Sequence, residues 1–532
     1  MIEVICKIPC TEADAVSFYD GSPDYAGIVE RTIGIRPDAS CRISLLRKQM
    51  ICREGSSVCR LDFSLALPED TETFLCRKFD CVRKHLPYSY CVKKASLDER
   101  PVVVGTGPAG LFAALILSES GLSPLVLEKG EDIDSRIRAV DLFNSTGILD
   151  PDSNIQFGEG GAGTFSDGKL KPGRLDGRKH RILSELVSAG APAEIMTDAE
   201  AHVGTDILRK AVKNLRKRIE ALGGEFRFSC PLRSITVSGG SVRSVITGAG
   251  EIPARNVFLA TGHSARDIYP MLLGKGAVLV PKGFGVGVRI EHRQEMIDRI
   301  RYGDAGLSTV RGHASYHLAV HLENGRSVYS FCMCPGGTVV AAASEPGGVL
   351  TNGMSDYLRN GVNANSALLV SVGPDDFGND PLSGFGFQRE LEEKAYRAGG
   401  GDFRAVSQKL GDFLAGRESN SFGEVMPSYP RGSVPGSLDP MLPGFVTESL
   451  RLGILEFDRW MEGFNYRDAV LTGVETRSTC PVRIIRDGDF QAAGIRGLYP
   501  CGEGAGYAGG ILSSACDGMI CAEALIEKAA CI

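Results

Sequence analysis

The sequence predicts an α/β protein: a discontinuous Rossmann-like domain for a dinucleotide, a β-rich domain inserted within it, and a small α/β domain in front. Three observations predict this. From Pro101 an apolar strand, a glycine turn, an apolar helix and a second strand follow in order (PVVV, GTGPAG, LFAALILSES, PLVLEKG). In the middle of the chain two alternating runs, SYHLAVHLE and RSVYSFCM, flank Asn324-Gly325. Near the end a second glycine loop, GEGAGYAGG, precedes a helical pattern. At 532 residues the chain exceeds the size at which one hydrophobic core stops growing, so it should divide. The boundaries expected are 1–98, 99–264, 265–479 and 480–532, the second and fourth segments forming one domain.

Residues 1–98 read as strand-like Ile2 to Ile8, a helical stretch around Ala13 to Arg31, and strand-like Arg42 to Ile51 and Cys59 to Leu67. The polar stretch Lys94 to Arg100 then marks a boundary. In the middle region Asn324-Gly325 reads as a type I′ hairpin turn, which needs positive φ at both central residues. Gly497 to Tyr499 is strand-like, and Ile511 to Lys528 is helix-like.

Composition narrows the function. A formal net charge of -6 carries no electrostatic footprint for nucleic acid. The basic run RKAVKNLRKR, Arg209 to Arg218, reads as a solvated helix face. Neither an export signal nor a run of about 18 uncharged apolar residues is present, so a cytoplasmic protein is expected. The 16 cysteines are dispersed and include no CxxC pair and no zinc spacing, which predicts reduced thiols and no metal.

The chemistry begins at Gly105, Gly107 and Gly110, a GxGxxG set between apolar strand and apolar helix. The first glycine permits the turn, the second lets backbone approach a pyrophosphate, and the third lets helix and strand pack closely. Phosphates would sit on the helix N-terminus, where free N–H groups and the helix dipole favour anions. Glu128, ending the second strand, is placed to accept from a ribose diol. The loop from Gly158 to Gly163 also fits GxGxxG, but no helix follows it. The loop from Gly502 to Gly510 lacks a following strand and acid, so it reads as a second helix N-terminus closing on the same cofactor. A separate NAD(P) domain is not expected.

Several stretches resemble the uncharacterised bacterial FAD-dependent dehydrogenases that share a C-terminal domain and belong to the glutathione-reductase-like superfamily. They are SNIQFGEGGAGTFSDGKL (153–170), HVGTDILRKAVKNLR (202–216), LATGHSARD (259–267), YSFCMCPGG (329–337), TNGMS (351–355), TGVETRSTCPVRI (472–484) and LYPCGEGAGYAGGI (498–511). The first 98 residues match only loosely. The resemblance implies FAD as cofactor, with Gly105, Gly107, Pro108, Ala109 and Gly110 at the pyrophosphate, and Glu128 and Lys129 at the adenosine ribose with Arg136 nearby. It implies Gly160, Gly161, Gly163 and Thr164 along the inner half of the flavin, and Leu232 by the adenine. Ala260, Thr261 and Gly262 would pass the cofactor, and Gly502, Glu503, Gly510 and Ile511 would close on it. Residues 265–479 would form a substrate domain over the isoalloxazine.

Flavin chemistry is done by the cofactor, so no catalytic side chain need be visible in sequence. Cys334, at the end of a hairpin strand, is the thiol best placed for the ring, the bland alternative being a buried structural cysteine. Lys169 ends a glycine-rich loop and would stabilise an anionic reduced flavin; otherwise it is a surface lysine. His263, after the ATG turn, is an acid/base candidate or a turn residue. His313, His317 and His321 should lie along one face of a strand over about 27 Å, too spread for one metal ion. The expected reaction is hydride transfer between flavin N5 and a small organic substrate, with NAD(P)H as a transient electron donor. The alternatives are a flavin-dependent tRNA or nucleic-acid modification enzyme, which the acidic charge disfavours, and a non-catalytic FAD-binding redox sensor.

Overall fold

The computed structural model describes residues 1–10, 24–38, 41–53, 56–171, 176–303 and 312–530. Its organising element is a five-stranded parallel sheet, in the order Leu498–Pro500, Val257–Leu259, Val102–Val104, Leu125–Leu127, Glu225–Arg227. Both faces are covered, so the inner strands are apolar at every position rather than at alternate ones. The helix Pro108–Ser120 is buried almost all round for the same reason, packed between this sheet and the helices Thr205–Ala221 and Ile511–Ala530. Between the third and fourth strands of this sheet in sequence, 225–227 and 257–259, stands an antiparallel meander, Leu232–Ser238, Ser241–Thr247 and Gly250–Pro253. Leu232 therefore opens the meander, one strand beyond the one that directly follows the long helix.

The middle of the chain forms a seven-stranded mixed sheet, in the order Ala319–His321, Ser327–Cys334, Asn363–Val372, Phe284–Arg293, Val470–Glu475, Ala405–Lys409, Ser433–Pro435. Its central pair runs in unbroken antiparallel register from Phe284↔Val372 to Arg293↔Asn363. The helix Gly444–Trp460 packs its Val446, Leu450, Ile454 and Phe457 against that sheet. The expected hairpin is present, but its turn is not type I′. His321 pairs with Ser327, only Gly325 of the two central residues takes positive φ (80°), and Leu322 and Arg326 close the loop. Three loop residues ending in a left-handed glycine give the turn-plus-bulge form of hairpin instead.

The N-terminal residues build a four-stranded antiparallel sheet, Ile43–Arg53, Ser56–Leu65, Ile2–Cys10, Val82–Lys84. Ile2, Val4 and Cys6 alternate inward with Cys59, Leu61, Phe63 and Leu65, against the helices Tyr25–Ile33 and Glu69–Lys78. The described helix starts at Tyr25; the expected helical residues from Ala13 to Pro23 lie outside the described residues. The helix at 69–78 and the short strand at 82–84 carry no strong local pattern and were not anticipated. This sheet joins the rest of the chain by backbone bonds from Lys48 to Thr197 (2.7 Å) and from Ala199 to Lys48 (2.9 Å).

The basic run on the Thr205–Ala221 helix is not simply solvated. Arg216 pairs with Glu159 at 2.7 Å, Arg218 with Glu119 at 3.1 Å, and the Arg209 guanidinium lies over Phe165. Among the described residues no helix is long and apolar enough to cross a membrane, and no group of three or more His, Cys, Asp or Glu is placed to hold a metal ion.

Candidate functional site

A cavity of about 640 Å³ runs between the C-terminal ends of the parallel strands and the edge of the seven-stranded sheet. Its floor is the turn between Val102–Val104 and the Pro108–Ser120 helix. The N-cap of that helix, Gly107, has no side chain to cap it, so the first helical N–H groups are presented to the cavity. Gly105, at φ 100°, lies so close to strand 257–259 that a Cβ would stand 2.4 Å from the Ala260 carbonyl oxygen. Gly110 faces the other way: a Cβ there would stand 1.9 Å from the Gly105 oxygen. Its role is contact between helix and turn, off the cavity wall.

Gly105, Gly107, Pro108 and Ala109 line the cavity, with Glu128, Lys129 and Leu232 at one end. Gly161 and Gly163 face it from the glycine loop, and Ala260, Thr261, Gly262, Gly502, Glu503, Gly510 and Ile511 complete the wall. Gly160, Thr164 and Arg136 are not on the wall. A Cβ on Gly160 would meet Thr164 and Val212, so these two loop positions pack against the long helix behind. Arg136 is wholly buried behind the loop, where its guanidinium donates to the carbonyls of Asn154 (2.8 Å), Ile155 (2.9 Å), Glu159 (2.7 Å) and Gly161 (3.0 Å). It moulds the loop rather than meeting a ribose, because a helix with an Asp132 cap points it inward.

Glu128 also differs from expectation in detail. One carboxylate oxygen accepts from the Thr106 N–H (2.9 Å) and hydroxyl (2.6 Å), and the other from the N–H groups of Gly130 and Gly158 (both 3.0 Å). The carboxylate thus ties the first turn, its own strand end and the glycine loop together. Lys129 pairs with Asp152 at 3.2 Å and lies over the Phe157 ring.

At the far end the wall is built by Ser327–Cys334 and Val470–Glu475. Lys169 reaches this end, half-buried, and its ammonium donates to the Met333 carbonyl. Burial lowers its pKa, with Asp167 opposing. Asp167 is in turn held by Arg359 (2.6 and 2.9 Å) and Ser355; burial pushes its carboxyl up, but the cations prevail and the net shift is down. Cys334 is fully buried behind the wall, and Cys332 takes the wall position. The reason is a break in strand register between Phe331 and Cys334, with Cys332 at φ 45°. Beneath both thiols lies Arg289, fully buried, bonded to the Cys332 carbonyl (2.6 Å), to Asn365 (2.8 Å) and to both oxygens of Glu475 (3.0 Å). Burial pushes the Glu475 carboxyl up to about 7 against the pull of Arg289.

His263 is on the wall, its Nδ1 3.4 Å from Glu503 and its buried Nε2 without a partner among the described residues. The histidine stripe does not form: only His321 lies in a strand, His313 is bonded to Asp298 (2.8 Å), and His317 lines the cavity from a coil. Cys332, Glu475, Arg477 and His317 are wall residues that sequence reasoning missed. Cys332 and Glu475 stand within the YSFCMCPGG and TGVETRSTCPVRI stretches, which was the available signal.

Residues 283–478 match the protein-family description "FAD-dependent protein, C-terminal domain-like", and residues 182–367 match "FAD dependent oxidoreductase". An uncharacterised protein of Clostridium beijerinckii is 49% identical over 434 residues, covering 81% of each chain. Among solved structures, L-proline dehydrogenase from P. horikoshii aligns over 82% of this chain and 95% of its own at 11% identity, with a TM-score of 0.36. Glycine oxidase from Bacillus cereus aligns over 81% and 95% at 13% identity, with a TM-score of 0.31.

Proposed function

The chain belongs to the uncharacterised family of FAD-dependent oxidoreductases that carry this C-terminal domain, and from that premise we propose that FAD lies along the cavity and exchanges hydride at N5 with a small organic substrate. The observation that carries this reading is the continuity of one cavity from the Gly105–Gly110 turn to the seven-stranded sheet. The residues fit the cofactor. An uncapped helix N-terminus, a second helix beginning at Ile511 and a glycine loop facing Gly107 offer backbone N–H groups to a pyrophosphate with no side chain in the way.

In this reading FAD supplies the hydride chemistry and the chain supplies position and charge. Glu128 fixes the turn; a ribose diol reaches it only by sharing oxygens that already hold chain donors. Lys169 places positive charge at the far end, where reduced flavin carries negative charge. Residues 265–479 act as the substrate domain, with Arg477 and Glu475 on its wall and their charges held by Glu392 and Arg289. NAD(P)H is proposed as a transient donor, since no second fingerprint loop accompanies the first.

The test is the visible spectrum of the purified protein followed by anaerobic rapid mixing with NADH and NADPH. Absorbance near 450 nm that either nucleotide bleaches supports the reading with that nucleotide as donor. A yellow protein bleached by neither excludes NAD(P)H, and a colourless protein that cannot be reconstituted with FAD refutes the cavity assignment.

A further inference from the structure

We propose that Cys332 and Cys334 form a dithiol/disulfide couple that exchanges an electron pair with the flavin, an inference that rests on FAD occupying this cavity. Cys332 is on the cavity wall and Cys334 directly behind it. The Cys334 thiol donates to the Cys332 carbonyl at 3.2 Å, which holds its sulfur against residue 332. In a regular strand, alternate Cα atoms stand about 6.6–6.8 Å apart, at the outer limit of disulfide geometry of about 4.4–6.8 Å. The register break and the left-handed backbone at Cys332 remove that regular spacing. A non-glycine residue with positive φ is uncommon and, where it occurs beside a cavity, marks a position held for function.

The surroundings favour a thiolate in this pair. The Arg289 guanidinium lies 3.5 Å from the Cys334 sulfur and bonds the Cys332 carbonyl, and the Lys169 ammonium is anchored on Met333 between the two cysteines. The neighbouring Cys334, helped by Arg289 and Lys169 and opposed by burial, brings the Cys332 thiol down, whereas the neighbouring Cys332 and burial push the Cys334 thiol up. The wall sulfur is thus the accessible nucleophile and the buried one its resolving partner, the division of labour in thiol–disulfide chemistry. The remaining charges facing the pair are Glu475, engaged by Arg289, and Asp167, engaged by Arg359.

The step balances with oxidised FAD as the only oxidant. A bond forms between the Cys332 and Cys334 sulfurs and the Cys334 S–H bond breaks. The electron pair and that proton go to FAD, so thiolate, thiol and FAD become disulfide and FADH⁻. Run in reverse, the couple carries electrons from reduced flavin to a disulfide or another two-electron acceptor at the wall.

The experiment is an anaerobic reductive titration of the FAD-loaded protein, with peptide mapping after alkylation at each potential. The wild type should take up four electrons per flavin and each of Cys332→Ser and Cys334→Ser two, because the couple itself holds two. The fully oxidised wild type should give a Cys332–Cys334 peptide lighter by two hydrogens and closed to alkylation. Mapping needs no variant, so a misfolded Cys334→Ser protein does not spare the proposal. A flavin-loaded wild type that takes up two electrons, with both thiols alkylated at every potential, overturns it and leaves FAD binding standing. A disulfide found only between Cys501, another thiol on the cavity wall, and the buried Cys521 overturns it as well. A chain that binds no FAD overturns both this inference and the reading beneath it.

Discussion

Two glycines three residues apart should respond to the same added methyl in different ways. Gly107 sits at φ -64°, which alanine adopts freely, and the nearest atom to its Cβ is the Gly161 Cα at 4.0 Å. Gly107→Ala therefore costs the protein alone nothing, and the loss of chain entropy in the unfolded state adds about 0.4–1 kcal/mol of stability. The methyl instead narrows the passage between the turn and the glycine loop, where a pyrophosphate must approach backbone. We expect FAD affinity to fall at least tenfold, about 1.4 kcal/mol. Gly110→Ala puts its methyl 1.9 Å from the Gly105 oxygen, more than an ångström inside the 3.0 Å limit that real Cβ atoms respect. Backbone on both sides must part, and the cost is about 3 kcal/mol, the upper end of overpacking. The assay is a thermal midpoint on apoprotein beside a fluorescence titration with FAD. Gly107→Ala should slightly raise the midpoint and lose affinity, whereas Gly110→Ala should lose both. Wild-type affinity in Gly107→Ala would show that no pyrophosphate crosses this turn, and an unchanged midpoint in Gly110→Ala would refute the close helix–strand contact.

Three further outcomes follow from buried charge. Because the folded-state pKa of Glu475 is raised from 4.5 to about 7, its contribution to stability is complete below 4.5 and is lost as pH rises through 7; wild-type apoprotein should lose thermal stability over that window, and Glu475→Gln should flatten the profile. Glu392 is shifted the opposite way, to about 2: burial raises it, but Arg477 and Arg266 dominate, so its contribution is present above 4.5 and lost as pH falls through 2. Glu392→Gln leaves those two buried guanidinium groups without their shared carboxylate and should cost about 3–5 kcal/mol at neutral pH, read from denaturant unfolding. Arg136→Met removes the donor to five loop carbonyls, of which those of Asn154 and Ile155 are left without a donor among the described residues, at about 1–3 kcal/mol for each that stays dry, and should lower both the melting midpoint and FAD occupancy, with Arg136→Lys recovering part of each.

What was legible in the sequence was whatever depends on neighbours a few residues away. The strand, turn, helix and second strand around Gly105 announce themselves because apolar period and glycine spacing are local, and so does the hairpin at Asn324-Gly325. The turn type there was misread because Asn-Gly serves both two-residue and three-residue loops, and strand register decides between them. Arg136 was misplaced for a similar reason. A basic residue a few positions after the acid at the strand end looks available to a phosphate or ribose, and only the helix phase, set by the Asp132 cap, turns it inward.

The far end of the cavity was hidden by a different cause. Arg289 and Glu475 stand 186 residues apart in sequence, and nothing local marks either as the other's partner. Cys334 stands out in the sequence because it ends a hairpin strand just before a glycine pair, a local cue that says nothing of which thiol meets the cavity. A single irregularity reverses the choice: the bulge sends Cys334 behind the wall and leaves Cys332 on it. The chemistry assigned to this end therefore depends on a backbone feature that has no sequence signature beyond a cysteine placed where a β-strand would accept almost any residue. A substitution that restores regular pairing at residues 332–333 should move the thiol off the wall without removing it, separating the bulge's contribution from that of the sulfur.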